Sequence, residues 1–124
     1  MAHRAIGFVA TCRADASLAF YRDVLQFKFV EDTPFAIVFD AFGIMLRVQK
    51  VEKVAQVPYT TFGLEVGDIK AEARRLAAAG VEGVRYPHFD QDALGIWTAP
   101  GGAKVFWFRD PDGNLLSLSQ FGAE

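Results

Sequence analysis

The most constraining feature of this chain is that one order of elements is legible twice: a short apolar strand, an amphipathic helix, then three more strands. In the first half, the strand-like run Ala5 to Thr11 leads into Asp15 to Leu25. There Ala16, Phe20 and Val24 share one face at helical spacing, with Tyr21 and Leu25 beside them. Phe27 to Glu31, Ala36 to Ala41 and Ile44 to Gln49 read as strands, with turns at Thr33-Pro34 and Phe42-Gly43. In the second half, Thr61 to Val66 alternates Phe62, Leu64 and Val66 against Thr61, Gly63 and Glu65. Asp68 is placed to cap a helix over Ile69 to Ala79, whose Ile69, Ala73, Leu76 and Ala77 form one apolar stripe ending at Gly80. Val81 to Tyr86, Gly95 to Ala99, Lys104 to Arg109 and Leu115 to Gln120 supply the remaining strands. Gly101-Gly102 and Asp110-Pro111-Asp112-Gly113 mark turns between them. An offset of 55 residues carries Ile6 onto Thr61 and Arg13 onto Asp68, although identity between the halves is poor.

A βαβββ unit with its helix on one sheet face leaves the other face needing cover. One domain over 1–124, built from a module at about 5–50 and another at about 58–121, therefore predicts an α+β fold. Its two βαβββ modules would form a curled mixed sheet around a cavity. Composition bears on what lines it. Aromatic residues make up 14% of the chain, and 12 of them are Phe, more rings than one small core requires. The surplus points to a cavity, a partner surface, or both. Thirteen basic residues against fifteen acidic ones leave no field that would draw nucleic acid or an anionic membrane. No apolar run is long enough for a transmembrane helix. The start, Met1 to Cys12, imitates a secretion signal, but its apolar run is too short and is read as the first strand. A single cysteine, Cys12, excludes an internal disulfide, favours the cytoplasm, and is expected to be a small buried side chain.

Three segments carry a family resemblance. Leu18-Ala19-Phe20-Tyr21-Arg22-Asp23-Val24-Leu25 resembles the first helix of the glyoxalase/bleomycin-resistance/dioxygenase family, the vicinal oxygen chelate superfamily. Leu64-Glu65-Val66-Gly67-Asp68-Ile69 is similar to the start of its second module, and Phe106 to Asn114 resembles its last hairpin. The resemblance covers roughly residues 5 to 121. It implies paired βαβββ modules, a cavity and a homodimer. Gln26 stands where the family usually has Gly after the first helix.

Enzymes of that family hold a divalent metal through His and Glu, leaving open positions for substrate oxygens. Carried over, the resemblance places the four ligands at Ile6, Arg47, Thr61 and Ser117, none of which is His, Glu or Asp. Arg47 would also repel a cation. We therefore expect no metal and no cofactor. His88, Asp90 and Asp92 alternate and offer a second place for a metal, against a polar-loop reading. His3 lies near a terminus, and Cys12 has no neighbouring His to activate it as a nucleophile.

What remains is a set of expected ligand contacts: Phe8, Arg47, Tyr59, Thr61, Glu65, Trp97, Trp107 and Ser117. The rings Phe8, Tyr59, Trp97 and Trp107 would stack on a flat ligand, with Phe106 and Phe108 on the opposite face from Trp107. Arg47 would grip a carboxylate or phosphate, or else pair with Glu65 or reach solvent. Thr61 and Ser117 would each contribute one hydrogen bond. The expected function is binding a planar or amphipathic small molecule without a metal. The alternative is a lyase, dioxygenase or isomerase with a non-standard active site, including a metal-free form with Glu65 as base. A third class is a purely interacting subunit. No catalytic residue is assigned.

Overall fold

The computed structural model describes residues 2–122. The chain divides into two compact units, Met1–Val57 with Asp110–Asn114, and Pro58–Arg109 with Leu115–Glu124. The first contains β1 (Ile6–Thr11), α1 (Ala14–Ala19), a π-helical turn (Phe20–Val24), β2 (Lys28–Asp32), β3 (Ala36–Ala41) and β4 (Ile44–Lys50). Its sheet order is β1-β4-β3-β2, with β1 parallel to β4 and the other pairs antiparallel. The second contains β5 (Phe62–Glu65), α2 (Ile69–Ala78), β6 (Trp97–Thr98), β7 (Lys104–Arg109) and β8 (Leu115–Gln120). Its order, β5-β8-β7-β6 with β5 parallel to β8, repeats the first topology. The expected α+β fold of two βαβββ modules is present, as two four-stranded mixed sheets.

The alternation read from the sequence decides which sheet face is buried. In β4, Leu46 and Val48 are fully buried, whereas Met45, Arg47 and Gln49 occupy the other face and retain solvent contact. In the second unit, Phe106, Phe108, Leu116 and Leu118 form the buried face, together with Ile69, Ala73 and Leu76 of α2. Asp68 caps α2 as expected, its carboxylate accepting from the Ala71 N–H at 3.1 Å. The 55-residue offset holds at the helix starts, since Arg13 occupies the equivalent cap position of α1.

Three expectations need correction. The continuous helix over Asp15 to Leu25 is instead a short α-helix followed by a π turn, closed by Leu25 N–H donating to the Phe20 carbonyl at 3.0 Å. This wider turn coincides with the burial of both Phe20 and Tyr21. Gln26 then adopts φ 63°, the left-handed conformation that favours glycine at such a position. The strand expected at Val81 to Tyr86 does not form, and the one at Gly95 to Ala99 shrinks to Trp97–Thr98. Gly83 lets the backbone lie close on the Phe106 ring, to which an added Cβ would come within 2.7 Å. The backbone meets β7 there at one ladder-like bond, Val84 N–H to the Trp107 carbonyl, and Pro87 removes a further donor. Cys12 is exposed rather than buried. Its backbone N–H and thiol both donate to Asp112, which holds the residue at the surface.

Candidate functional site

The uncovered face of the second sheet can be laid out row by row from its register. Gly63, Ser117 and Trp107 are consecutive cross-strand partners on β5, β8 and β7. The next row holds Glu65, Ser119, Val105 and Trp97 across all four strands. At the strand spacing of about 4.8 Å, Glu65 and Trp97 stand roughly 14 Å apart at the two ends of that row. Ser117 is buried, with no hydrogen-bond partner for its hydroxyl among the described residues. A Cβ on Gly63 would approach that oxygen to 3.0 Å, so glycine there keeps the hydroxyl uncrowded. Glu65 is exposed and has no ion pair or hydrogen bond among the described residues. Thr61, at the start of the same face, is exposed and donates its hydroxyl to the Leu115 carbonyl at 3.2 Å.

Over the Trp end of this face lies a cluster of rings that the sequence reading only half identified. Trp97 and Trp107 have centroids 5.9 Å apart and planes 27° apart. Phe89 stacks on Trp97 at 4.4 Å and lies parallel to Trp107 within 7° at 5.4 Å. Tyr86 meets Trp107 edge-on at 5.2 Å, and His88 leans on Phe89 at 4.4 Å. Trp97, Trp107, Tyr86 and Phe89 are all half-buried. Phe89 and Tyr86 were missed because their segment is punctuated by Pro87, Asp90 and Asp92 and reads as a polar loop. The available signal was three rings within four residues, Tyr86, His88 and Phe89.

The loop is held mainly by side chains, with a single antiparallel bridge between Gln91 and Trp97 in place of a strand ladder. The Gln91 amide donates to the carbonyls of Val84 and Gly95 at 2.8 and 2.9 Å and accepts from Tyr86 N–H at 2.8 Å. One side-chain amide thus supplies the donor and acceptor that a neighbouring strand would have given. Asp92 accepts from the N–H groups of Leu94, Gly95 and Ile96. The Arg85 guanidinium donates to the Ala93 carbonyl at 2.9 Å.

On the first unit, Phe8 and Arg47 are cross-strand partners, and Val38 of β3 follows in the same row. Phe8 is 50% exposed. Arg47 is half-buried without an ion pair among the described residues. Tyr59 is 62% exposed, outside any strand and without a ring partner among the described residues. The register therefore brings Phe8 to Arg47 on one sheet, and Trp97, Trp107, Ser117 and Glu65 onto one face of the other.

The four positions where the resemblance places metal ligands do not suit a divalent ion. Ile6 has no donor atom, Arg47 is cationic, Ser117 offers only a neutral hydroxyl, and the Thr61 hydroxyl is engaged with a carbonyl. Among the described residues, no group of three or more His, Cys, Asp and Glu gathers as a metal would require. In the His88–Asp92 segment, Asp92 is occupied by backbone N–H groups and His88 packs on rings.

A second polar cluster belongs to the first unit. Asp112 accepts from the Thr11 hydroxyl, the Ser17 hydroxyl at 3.0 Å, and the Cys12 N–H and thiol at 2.9 and 3.3 Å. Burial pushes its carboxyl up, but these hydrogen bonds outweigh burial and hold it below the ordinary carboxylate range. The bond to Asp112, with some burial and the repulsion of that carboxylate, pushes the Cys12 thiol up, which makes it a poor nucleophile. Asp110 accepts from the Tyr21 hydroxyl at 2.6 Å and from Asn114, whose side chain also donates to the Ala10 carbonyl. Burial, reinforced by Asp110, pushes the Tyr21 hydroxyl well above its ordinary value. With every partner engaged, this cluster is built to hold residues 110–114 in place.

These features match known proteins at the level of fold. The chain shares 21% identity and a TM-score of 0.76 with a superfamily member from Sphaerobacter thermophilus, covering 98% of each chain. The fosfomycin resistance protein FosX from Listeria monocytogenes gives a TM-score of 0.76 at 13% identity, over 98% of this chain and 95% of that one. A lactoylglutathione lyase from Agrobacterium tumefaciens gives 0.71 at 19%, over 99% and 98%. No curated protein sequence matches this chain. Residues 2–118 match the family model described as Glyoxalase/Bleomycin resistance protein/Dioxygenase superfamily, and the chain belongs to that superfamily.

Proposed function

We propose that this protein binds a planar or amphipathic small molecule without a metal, on the uncovered face of the second sheet. Trp97 and Trp107 supply the stacking surface, Ser117 a hydrogen bond, and Glu65, with Thr61 nearby, the polar end. The observation that carries this reading is the near-parallel pair of half-exposed indoles beside a serine hydroxyl that no protein group uses. Flat rings gain most from flat partners, and a hydroxyl without a protein partner is open to a hydrogen bond from a ligand. Tyr59 is proposed as a further contact, and Phe8 with Arg47 as a contact surface on the first unit's own sheet, Arg47 for an anionic group. The donor-poor set Ile6, Arg47, Thr61 and Ser117 supports metal independence. A cytoplasmic homodimer accords with the lone cysteine and the family resemblance. The competing reading is a metal-free isomerase or hydrolase using Glu65 as base, and it rests on that unpaired carboxylate.

A thermal-shift screen of flat aromatic compounds tests the proposal. A true ligand raises Tm with its concentration. Trp97→Ala should abolish most of that rise while leaving the ligand-free Tm within a few degrees. A hit whose shift survives both Trp97→Ala and Trp107→Ala, or stoichiometric tightly held Fe, Mn, Ni or Zn in the purified protein, would overturn it.

A further inference from the structure

The connection between helix and following strand differs sharply between the two modules. In the first, residues 25–27 suffice between the π turn and β2, whereas in the second residues 79–96 separate α2 from β6. The longer segment is anchored at its neck by Gln91, Asp92 and Arg85, as described above. Its tip is different. At the tip, the turn is closed by Phe89 N–H to the Tyr86 carbonyl at 3.1 Å, and the chain rejoins the sheet only at the antiparallel bridge between Gln91 and Trp97. Pro87, His88 and Asp90 are exposed. What positions the tip is ring contact, above all Phe89 lying flat against both indoles.

A flat ring stacked at 4.4 Å on one indole and parallel to the other is the arrangement a planar aromatic ligand would adopt there. We propose that Phe89 is an internal occupant of the site, and that a planar ligand binds by taking the place of its ring on Trp97 and Trp107. This inference rests on the binding function proposed above and adds to it a ligand class and a competitor. The ligand class is an uncharged, flat aromatic group of at least one ring. The rigid neck and the weakly bonded tip make displacement local: Phe89 can swing away with one turn hydrogen bond lost, while the Gln91 and Asp92 bonds stay intact. Phe89 then lowers apparent affinity by the fraction of time it covers the indoles.

The chain has two tryptophans, both in this cluster, so their two indole N–H signals report on it alone. The experiment titrates 2-naphthol, a flat uncharged probe, into the full chain, Phe89→Ala and Phe89→Leu, following those signals and the backbone amide spectrum. We expect both indole signals to shift, with Phe89→Ala binding at least three-fold tighter than the natural chain and Phe89→Leu between them. Binding to Phe89→Ala alone would also support displacement. If the probe binds the natural chain and both variants bind it equally or more weakly, Phe89 is a wall of the site. Displacement is then overturned while the binding function stands. If no form shifts its indole signals, the proposed binding function fails and the inference falls with it. Phe89→Leu keeps apolar bulk and decides the matter should the alanine variant lose its native amide spectrum.

Discussion

The two units each carry a cluster of rings, and the clusters are put to opposite uses. In the first, Tyr21, Phe27 and Phe39 contact one another at 5.8 to 6.4 Å and are almost wholly buried, beneath the helical segment. In the second, Tyr86, Phe89, Trp97 and Trp107 pack at 4.4 to 5.9 Å yet remain half-buried, on the sheet face opposite Phe106 and Phe108. The ring chemistry is similar in both places. The side of the sheet on which the rings fall makes one cluster core and leaves the other available to a ligand.

Core truncation should mark this difference most strongly. Phe39→Ala is expected to cost about 4 kcal/mol in urea unfolding, because a fully buried ring leaves a cavity. Phe89→Ala should cost about 1 kcal/mol, and comparable losses for the two would dissolve the distinction. Next is the polar cluster. Asp112→Ala removes the acceptor of four buried or partly buried donors and should cost about 3 kcal/mol at pH 7. Its carboxyl titrates below the ordinary range in the native state, so its stabilisation is full above the unfolded value of about 4. That contribution fades as pH falls through the lower native value. The gap between natural chain and variant should therefore narrow in unfolding measured at pH 3, and a pH-independent gap would contradict the assignment. A smaller effect than that of Asp112→Ala is expected at the loop neck. Gln91→Ala should cost about 1–2 kcal/mol and speed hydrogen exchange at the Tyr86 N–H, with exchange in β7 and β8 unchanged.

The strands Ala36–Ala41, Lys104–Arg109 and Leu115–Gln120 could be read from the sequence to the residue, because alternation in the second and short apolar runs bounded by turn residues in the other two are local signals. The cap at Asp68 was equally legible, since capping acts within one turn. Trp97, Trp107, Ser117 and Glu65 were visible as candidates because alternation assigns faces along a strand. Phe89 and Gln91 were not visible, because each acts on groups brought near by loop closure. The pairing of Asp112 with Thr11 and Ser17 spans about a hundred residues, and no local pattern encodes it.

By itself, the sequence determined the twice-repeated order of elements, the buried face of each sheet and the absence of metal-ligand side chains at the four expected positions. Those properties depend on residue type and on spacing within one element. The tertiary structure alone decided that residues 79–96 fold on a glutamine amide in place of a strand, and that a phenylalanine from this loop lies against two indoles. Contacts between distant segments depend on how the chain closes, and loop closure leaves no period in the sequence.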